Sequence, residues 1–231
     1  MKKRSERPIV TTLSPKSPEA EAFRMLRTNL QFTSLDKDMR TICITSTGPE
    51  EGKSSIIVNL AITMAQAGKK VLIVDCDLRK PLQHKIFKLS NLAGVTTVLS
   101  GNKEISEVVK ETYVDGLHLI TSGPIPPNPA ELLSSEKMHN FIQDLRKDYD
   151  HILFDAPPAL AVTDPIILST KVDGMIFVVS AGKSKVEKIK EVKDRLVKAN
   201  ANILGVVLNN VQYKGQDYYY YYYYDNGDKE E

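Results

Sequence analysis

The feature that most constrains the fold of this chain is a polar loop between two apolar segments. The loop covers residues 45–55, and it lies between the apolar run 41–44 and the longer apolar run 56–65. This order predicts a strand, a loop and a helix, which is the context that a phosphate-binding loop requires. Within the loop, Gly52 permits close backbone approach, Lys53 adds a charge and Ser54 can ligate Mg²⁺.

The loop departs at one position from the pattern G-x-x-x-x-G-K-[ST], because Thr47 stands where the first glycine belongs. A polar cap at the start of a helix is the alternative interpretation of an isolated Gly-Lys-Ser sequence. The flanking strand and helix favour the phosphate loop. We therefore predict a nucleotide-phosphate site formed by Gly48, Pro49, Glu50, Glu51, Gly52, Lys53, Ser54 and Ser55.

The rest of the chain repeats apolar runs at intervals that suit strands alternating with helices. Predicted strands cover residues 71–74, 117–121, 151–154, 174–180 and 203–208, and predicted helices cover 18–32, 94–99, 105–110, 131–147 and 185–199. Continuously apolar strands are typical of a parallel sheet that is covered on both faces. We therefore predict an α/β fold, with a mostly parallel, doubly wound sheet and helices on both faces.

Length and composition restrict the class of protein. A chain of 231 residues, 42% hydrophobic and 26% charged, suits one soluble domain with tails. Its net charge of +2 argues neither for nor against nucleic acid, and we expect no nucleic-acid partner. We expect an extended arm over residues 1–16, one domain over 17–211 and a flexible tail over 212–231. Cys43 and Cys76 lie far apart and form no C-x-x-C motif, so neither a disulfide framework nor a zinc site is indicated.

No apolar stretch reaches the length needed to cross a bilayer, and no apolar signal core follows the basic N-terminus. We expect a cytoplasmic protein.

Aspartates follow two of the predicted strands. Asp75 and Asp77 follow residues 71–74, and Asp155 follows 151–154. Ligands of open α/β sheets bind at the carboxyl ends of the strands, so these aspartates and the loop can share one cleft. Asp155 fits the magnesium-side carboxylate of phosphate-loop enzymes, although it can also be a turn former. Asp75 and Asp77 can hold a metal ion, or one of them can have a raised pKa and act as a base; an ordinary polar turn is the alternative.

The helix that starts near Pro18 carries three charged residues on one side, Glu21, Arg24 and Arg27. Charges at this spacing usually form a solvated face, and they can also anchor a neighbouring subunit.

Several of these stretches resemble a known protein family. The loop, the sequence Asp75-x-Asp77-x-Arg79 and the sequence Asp155-x-Pro157-Pro158 resemble the Walker A, A′ and B motifs of MinD/ParA-type P-loop ATPases. Four further features lie in the sequence: Glu21-x-x-Arg24-x-x-Arg27, Asp77-Leu78-Arg79-Lys80-Pro81, the proline-rich segment 123–133 and a tyrosine-rich C-terminus. With them, the chain more closely resembles, almost from end to end, the cytoplasmic bacterial tyrosine kinases of capsule and exopolysaccharide synthesis. Gly48 stands where MinD/ParA proteins carry a lysine, which favours the kinase branch.

The resemblance implies an ATP-dependent protein-tyrosine kinase. It implies that ATP and Mg²⁺ bind at Lys53, Ser54, Asp77 and Asp155, with Ser54, Asp77 and Asp155 on the metal. It also implies that Asp75 orients or deprotonates the tyrosine hydroxyl, and the division of base and metal roles between Asp75 and Asp77 stays open. Asn209, which ends the last predicted strand, can contact the adenine as in related folds or simply form a turn.

The C-terminal tail contains a run of seven tyrosines. They are Tyr218, Tyr219, Tyr220, Tyr221, Tyr222, Tyr223 and Tyr224. A sticky low-complexity segment is one interpretation of such a run. The resemblance favours the other, a cluster of phosphoacceptors that a flexible tether delivers to the active site of a neighbouring subunit.

The resemblance also implies partners. We expect a ring-shaped homo-oligomer, an octamer in related proteins, in which Glu21, Arg24 and Arg27 lie at the interface. We expect a membrane-protein activator that acts through its cytoplasmic segment and recruits the chain to the inner face of the cell membrane, and a cognate tyrosine phosphatase.

Two other functions remain open. A MinD/ParA-type ATPase switch would use water as the nucleophile. A nucleotide-gated scaffold would have its tyrosines phosphorylated by another kinase.

Overall fold

A seven-stranded sheet forms the centre of the computed structural model, which describes residues 9–33 and 38–212. The strands are β1 (Thr41–Ser46), β2 (Val71–Asp75), β3 (Val109–Glu111), β4 (Leu117–Ile120), β5 (His151–Asp155), β6 (Gly174–Ser180) and β7 (Ile203–Asn209). They lie in the order β3-β4-β2-β5-β1-β6-β7, and all neighbours are parallel except the antiparallel pair β3 and β4. The predicted fold class is confirmed.

Helices cover both faces of the sheet. The longer ones are α2 (Pro18–Thr33), α3 (Lys53–Gln66), α8 (Glu136–Leu145) and α10 (Val186–Lys198). The shorter ones are α1 (Val10–Leu13), α4 (Gln83–Ile86), α5 (Val95–Leu99), α6 (Ile105–Val108), α7 (Pro129–Ser134) and α9 (Asp164–Ser169). Successive strand residues point to opposite faces, so Leu72 packs in the layer below α8 and α10, and Ile73 packs in the layer below α3. Both residues are fully buried, as continuous apolar strands require.

Two helix predictions are wrong in detail. The helix predicted over residues 131–147 is two helices, α7 and α8, which meet at Ser135. Ser135 is the N-cap of α8, since its Oγ accepts a hydrogen bond from the Met138 N–H at 3.2 Å. The helix predicted over 105–110 ends at Val108, and the next three residues form the edge strand β3.

The N-terminal arm is not extended where the structure describes it. Val10–Leu13 forms one helical turn, α1, because Thr11 is fastened to α3. The Thr11 N–H and hydroxyl both donate to Asn59 Oδ1, at 3.1 and 3.0 Å. These buried contacts stabilise a short helix that local sequence preference alone would not favour.

The apolar residues Ala22, Met25, Leu26, Leu30 and Phe32 recur near helical spacing and predict the buried face of α2, and the observed face differs from this prediction. Leu30 is buried and Leu26 is partly buried, as expected. Met25 and Phe32 are exposed, and Ala20 and Phe23 pack inward in their place. The buried stripe of α2 is therefore rotated relative to the expected stripe.

Residues 213–231, which include the tyrosine run, lie outside the described residues, and the flexible tail stays a prediction. Among the helices in the described part of the chain, none combines the length and the apolar composition needed to cross a membrane.

Candidate active site

The predicted site residues meet at the carboxyl edge of three neighbouring strands. β2, β5 and β1 are adjacent in the sheet, and Asp155 at the end of β5 lies beside Asp75 of β2 and Ile44 of β1. The phosphate loop follows β1, and Asp77 follows β2. The topology therefore brings the loop and all three aspartates together, as strand-end positions in a parallel sheet predict.

Gly52 has a backbone conformation that few other residues adopt. Its φ is 95°, and a Cβ at this position would lie 2.0 Å from Nδ2 of Asn209. Asn209 approaches so closely because its Nδ2 donates to the Glu51 carbonyl at 2.9 Å. The structure thus places Asn209 against the backbone of the loop, and its contact with adenine stays a prediction.

A second contact with the loop comes from the segment that follows β6, and the sequence analysis missed it. The Ser184 hydroxyl donates to Oε1 of the buried Glu51 at 2.6 Å. Nζ of Lys183 donates to the carbonyls of Pro49 and Glu50, at 2.8 and 3.2 Å. No local motif marks these residues, since they lie more than a hundred positions after the loop and meet it only through the order of the strands.

Lys53 lies between two carboxylates. Its Nζ is 3.0 Å from Oδ1 of Asp155 and 3.1 Å from Oδ2 of Asp77, and it is 3.4 Å from Oγ of Ser54. Burial by itself would lower the pKa of Lys53, but the charges of Asp155 and Asp77 outweigh burial and raise the pKa above its ordinary value. The lysine is therefore a fixed cation at the base of the loop.

Asp75 is fully buried and organises the backbone around it. Its Oδ1 accepts from the Asp77 N–H at 3.2 Å, and its Oδ2 accepts from the N–H groups of Leu82 and Gln83, at 3.1 and 3.0 Å. Burial, together with the charge of Asp155, raises the pKa of Asp75 to about 7. The carboxyl group can therefore exchange a proton near neutral pH, but in this conformation its oxygens point into the protein backbone.

Gln83 is a site residue that sequence reasoning missed. Its Nε2 donates to Oδ2 of Asp155 at 2.6 Å, and the side chain is fully buried on the short helix α4. This hydrogen bond fixes the orientation of the Asp155 carboxylate, so that Oδ1 faces Nζ of Lys53. A single glutamine outside any motif gives no sequence signal for this role.

Arg79 and Asp164 form a second ion pair at the edge of the site. Arg79 donates to both carboxylate oxygens of Asp164, from Nε at 2.9 Å and from NH2 at 3.0 Å. Asp164 is fully buried in the first turn of α9, so the pair ties the segment after β2 to that helix. The Asp-x-Asp-x-Arg pattern indicated Arg79, and no pattern indicated Asp164.

The three charged residues on α2 have partners within the chain. Arg24 donates to Glu21 at 2.5 Å and also to the Pro15 carbonyl, and both side chains remain substantially exposed. Arg27 donates to the Thr63 carbonyl at 2.7 Å. Glu21 and Arg24 are thus accessible to another subunit, and their interface role stays a prediction.

An open cleft of about 1320 Å³ leads to these groups. Gly52, Lys53, Ser54 and Asp77 line one end, together with Pro158. The donors at this end suit a magnesium ion, because a serine hydroxyl and carboxylates are the hard oxygen ligands that Mg²⁺ prefers. Ser54, Asp77 and Asp155 are the residues that would hold the ion, which would neutralise phosphate charge there.

The chain matches a family model described as an AAA domain over residues 39–204. It is 43% identical over 206 residues to the tyrosine-protein kinase YwqD of Bacillus subtilis, an alignment that covers 89% of this chain and 87% of that protein. The chain belongs to the bacterial tyrosine kinase family.

Solved kinase domains of this family share its fold. The kinase domain of the Escherichia coli tyrosine kinase ETK superposes with a TM-score of 0.87 at 32% identity, covering 90% of this chain and 82% of that one. The BceF tyrosine kinase domain superposes with a TM-score of 0.82 at 37% identity, covering 89% and 83%. Beyond the tyrosine kinases, MinD of Pyrococcus horikoshii, solved with Mg-ADP, shares the fold at a TM-score of 0.62 and 24% identity, covering 74% and 70%.

Proposed function

We propose that this protein transfers the γ-phosphoryl group of ATP to protein tyrosines. The observation that carries the proposal is the position of Lys53, whose Nζ lies within 3.1 Å of both Asp77 and Asp155 at the end of a phosphate loop. Phosphoryl transfer depends on positioning and on neutralising charge, and these are the groups that do both. The similarity to named tyrosine kinases over nearly the whole chain supports tyrosine as the acceptor.

Each residue has a part in this chemistry. The backbone N–H groups of the loop and the N-terminus of α3 bind phosphate oxygens, and Lys53 adds a full positive charge. Mg²⁺, when bound, would neutralise phosphate charge beside Ser54, Asp77 and Asp155. Gln83 keeps Asp155 in place beneath Lys53.

Two residues, Asp75 and Asp77, are candidates for the base in this proposal. Asp75 has the raised pKa of a base, but its oxygens accept backbone hydrogen bonds and it is fully buried. Its action on a tyrosine hydroxyl therefore requires the segment 77–83 to move. Asp77 reaches the cleft in the present conformation, and its oxygens accept from Lys53 and from the Lys80 N–H. Catalytic contacts often tighten only when the substrate binds, so both assignments stay in the proposal.

We further propose that the acceptors are Tyr218 to Tyr224 of a neighbouring subunit in a ring. The partial exposure of Glu21 and Arg24 is compatible with an interface at α2. An activator at the inner face of the membrane, a cognate phosphatase and a role in capsule or exopolysaccharide synthesis complete the proposal, and all of these rest on the family resemblance.

The test is mass spectrometry of the purified protein after incubation with ATP and Mg²⁺, with and without a candidate activator segment. We expect phosphate on the tyrosine run in the wild-type protein and none in Lys53→Ala. Lys193→Ala, which removes an exposed lysine from α10, is the matched control and should retain the phosphate. Release of inorganic phosphate with an unmodified tail would contradict the kinase proposal and favour an ATPase switch.

A further inference from the structure

The cleft is larger than a nucleotide requires. Sites for small ligands usually measure about 300–1000 Å³, and this cleft measures about 1320 Å³. The phosphate loop lines its inner end, and we use the term outer part for the remaining lining that comes from the segment between Lys80 and Lys88 and from Tyr113 and Ile125. The outer part therefore has room for a second substrate.

The outer part of the cleft is positively charged. Among the residues that line the whole cleft, carboxylates are present on Glu50 and Asp77, and both belong to the inner end. Lys80 and Lys85 line the outer part and are exposed. Within the described ranges, neither lysine has a carboxylate in ion-pair distance of its Nζ, so their charges are available to a ligand.

The outer part also has an aromatic surface. Tyr113 is 58% exposed, and its ring packs 5.8 Å from the ring of the buried Phe87, which supports it from the protein side. Ile125, which also lines the cleft, is 65% exposed. Exposed aromatic and aliphatic groups beside lysines suit a ligand that carries both aromatic rings and carboxylates.

A segment of this chain has that chemistry. The tyrosine run is bounded by Asp217 on one side and Asp225 on the other, and residues 213–231 carry five carboxylate side chains against two lysines. We propose that Lys80 and Lys85 bind the carboxylates that flank the tyrosine run when the tail of a second copy of this chain enters the cleft. This role rests on the proposed kinase function, and it makes the protein selective for tyrosines next to acidic residues.

The first arm of the test measures binding without catalysis. A fluorescent peptide with the sequence of residues 213–231 is titrated with the full-length protein at low salt, and fluorescence anisotropy gives the Kd. We expect Lys80→Gln/Lys85→Gln to weaken binding roughly 3- to 10-fold, the effect of losing two exposed charge pairs. The control Lys190→Gln/Lys193→Gln, which removes two exposed lysines of α10, should not change the Kd.

A second peptide, with Asp217→Asn and Asp225→Asn, completes a double-mutant cycle. We expect this peptide to bind the wild type and the Lys80→Gln/Lys85→Gln protein with equal Kd. For the unmodified acidic peptide, the difference in Kd between the two proteins should shrink at high salt. An equal loss for both peptides would overturn the proposal. An unchanged Kd of the Lys80→Gln/Lys85→Gln protein for the acidic peptide would also overturn it. If this variant loses affinity for ADP and keeps its affinity for the peptide, the lysines bind the nucleotide and the proposal is wrong.

The second arm measures phosphate on the same peptides with ATP and Mg²⁺. We expect Tyr218 and Tyr224, the tyrosines next to the aspartates, to be modified first, and the preference to disappear in the asparagine peptide. If the wild type binds the acidic peptide selectively but transfers no phosphate, the proposed kinase function fails and the charge recognition stands. If it transfers phosphate without any charge preference, the recognition fails and the kinase function stands.

Discussion

Gln83 provides a test of how the site is held together. Gln83→Ala removes the donor to Asp155 and leaves a buried carboxylate oxygen without that hydrogen bond. We expect a loss of about 1–3 kcal/mol in the free energy of unfolding. We also expect a lower kcat, because Asp155 no longer has one orientation beneath Lys53. Urea unfolding and peptide phosphorylation assays measure the two effects. Gln143→Ala, at an exposed position of α8, is the matched control and should change neither.

Alanine substitutions at Gly52 and Gly68 distinguish the cost of a positive φ from the cost of a steric clash. Gly52→Ala requires a positive φ of a residue with a Cβ, and it also drives that Cβ into Asn209. Gly68 has a φ of 79° with no atom within 4 Å of a built Cβ, so Gly68→Ala measures the conformational cost alone. We expect a loss of about 1–2 kcal/mol in the free energy of unfolding for Gly68→Ala. We expect a larger loss for Gly52→Ala, with weaker ADP binding in calorimetry. Equal losses at the two positions would mean that the Asn209 contact yields without cost.

The raised pKa of Asp75 predicts that the free energy of unfolding depends on pH. Burial raises its pKa in the folded protein to about 7 from an ordinary value of 3.8. Between these two pH values the folded state binds more protons than the unfolded state, so this residue's contribution to stability falls as the pH rises from about 3.8 to about 7. Asp75→Asn removes the dependence. We therefore expect Asp75→Asn to gain stability relative to the wild type as the pH rises from about 4 to about 7 in urea unfolding; a constant difference over this range would refute the raised pKa.

At the level of single residues, the sequence marked Lys53, Asp77 and Asp155, because a loop and two strand ends define their positions, and the structure brings these three side chains together. Gln83 and Ser184 were not marked, because each reaches the site through tertiary contacts from a segment with no pattern of its own.

At the level of elements, a substitution can test whether Ser135 caps α8 at the break between α7 and α8. Ser135→Ala removes the hydroxyl that caps α8, and we expect a loss of about 1 kcal/mol in the free energy of unfolding. Ser134→Ala, one position earlier, removes a hydroxyl that only donates to the Glu131 carbonyl of its own helix. It should therefore have little effect. If the two variants unfold at the same denaturant concentration, Ser135 does not act as a cap.

Elements with strong apolar periodicity were predictable, and elements defined by their neighbours were not. The core strands were found because parallel strands that are buried on both faces are apolar at every position. β3 was missed because its three residues, Val-Lys-Glu, lie at the sheet edge and are only partly buried. The turn α1 depends on one asparagine of α3, which no local rule could indicate.

For the whole molecule, the charge that phosphorylation adds to the tail predicts a cycle of association and dissociation. Each phosphotyrosine adds about −1.5 to −2 charges. Full modification of seven tyrosines would therefore add roughly −10 to −14 to a protein whose net charge is +2. We expect the proposed ring to dissociate once its tails are phosphorylated, because the charged tails repel one another. Multi-angle light scattering at moderate salt, before and after incubation with ATP, measures this; an intact oligomer of the fully phosphorylated protein would contradict it.

Fold and family were accessible from the sequence because the motifs recur at fixed points of a parallel sheet. The mode of assembly was not accessible from the sequence. Arg27, for example, donates a hydrogen bond within its own chain, and the charge pattern of α2 is the same whether or not another subunit binds there.

The contact between Asn209 and the phosphate loop has a thermodynamic consequence. Asn209 ends the strand after which the tail begins, and its side chain also holds the Glu51 carbonyl beside Gly52. If the loop binds a nucleotide as proposed, a ligand of the tail that displaces Asn209 and thereby weakens nucleotide binding would itself be weakened by the nucleotide by the same factor. Occupancy of the loop and binding of that ligand would then be linked through one asparagine side chain.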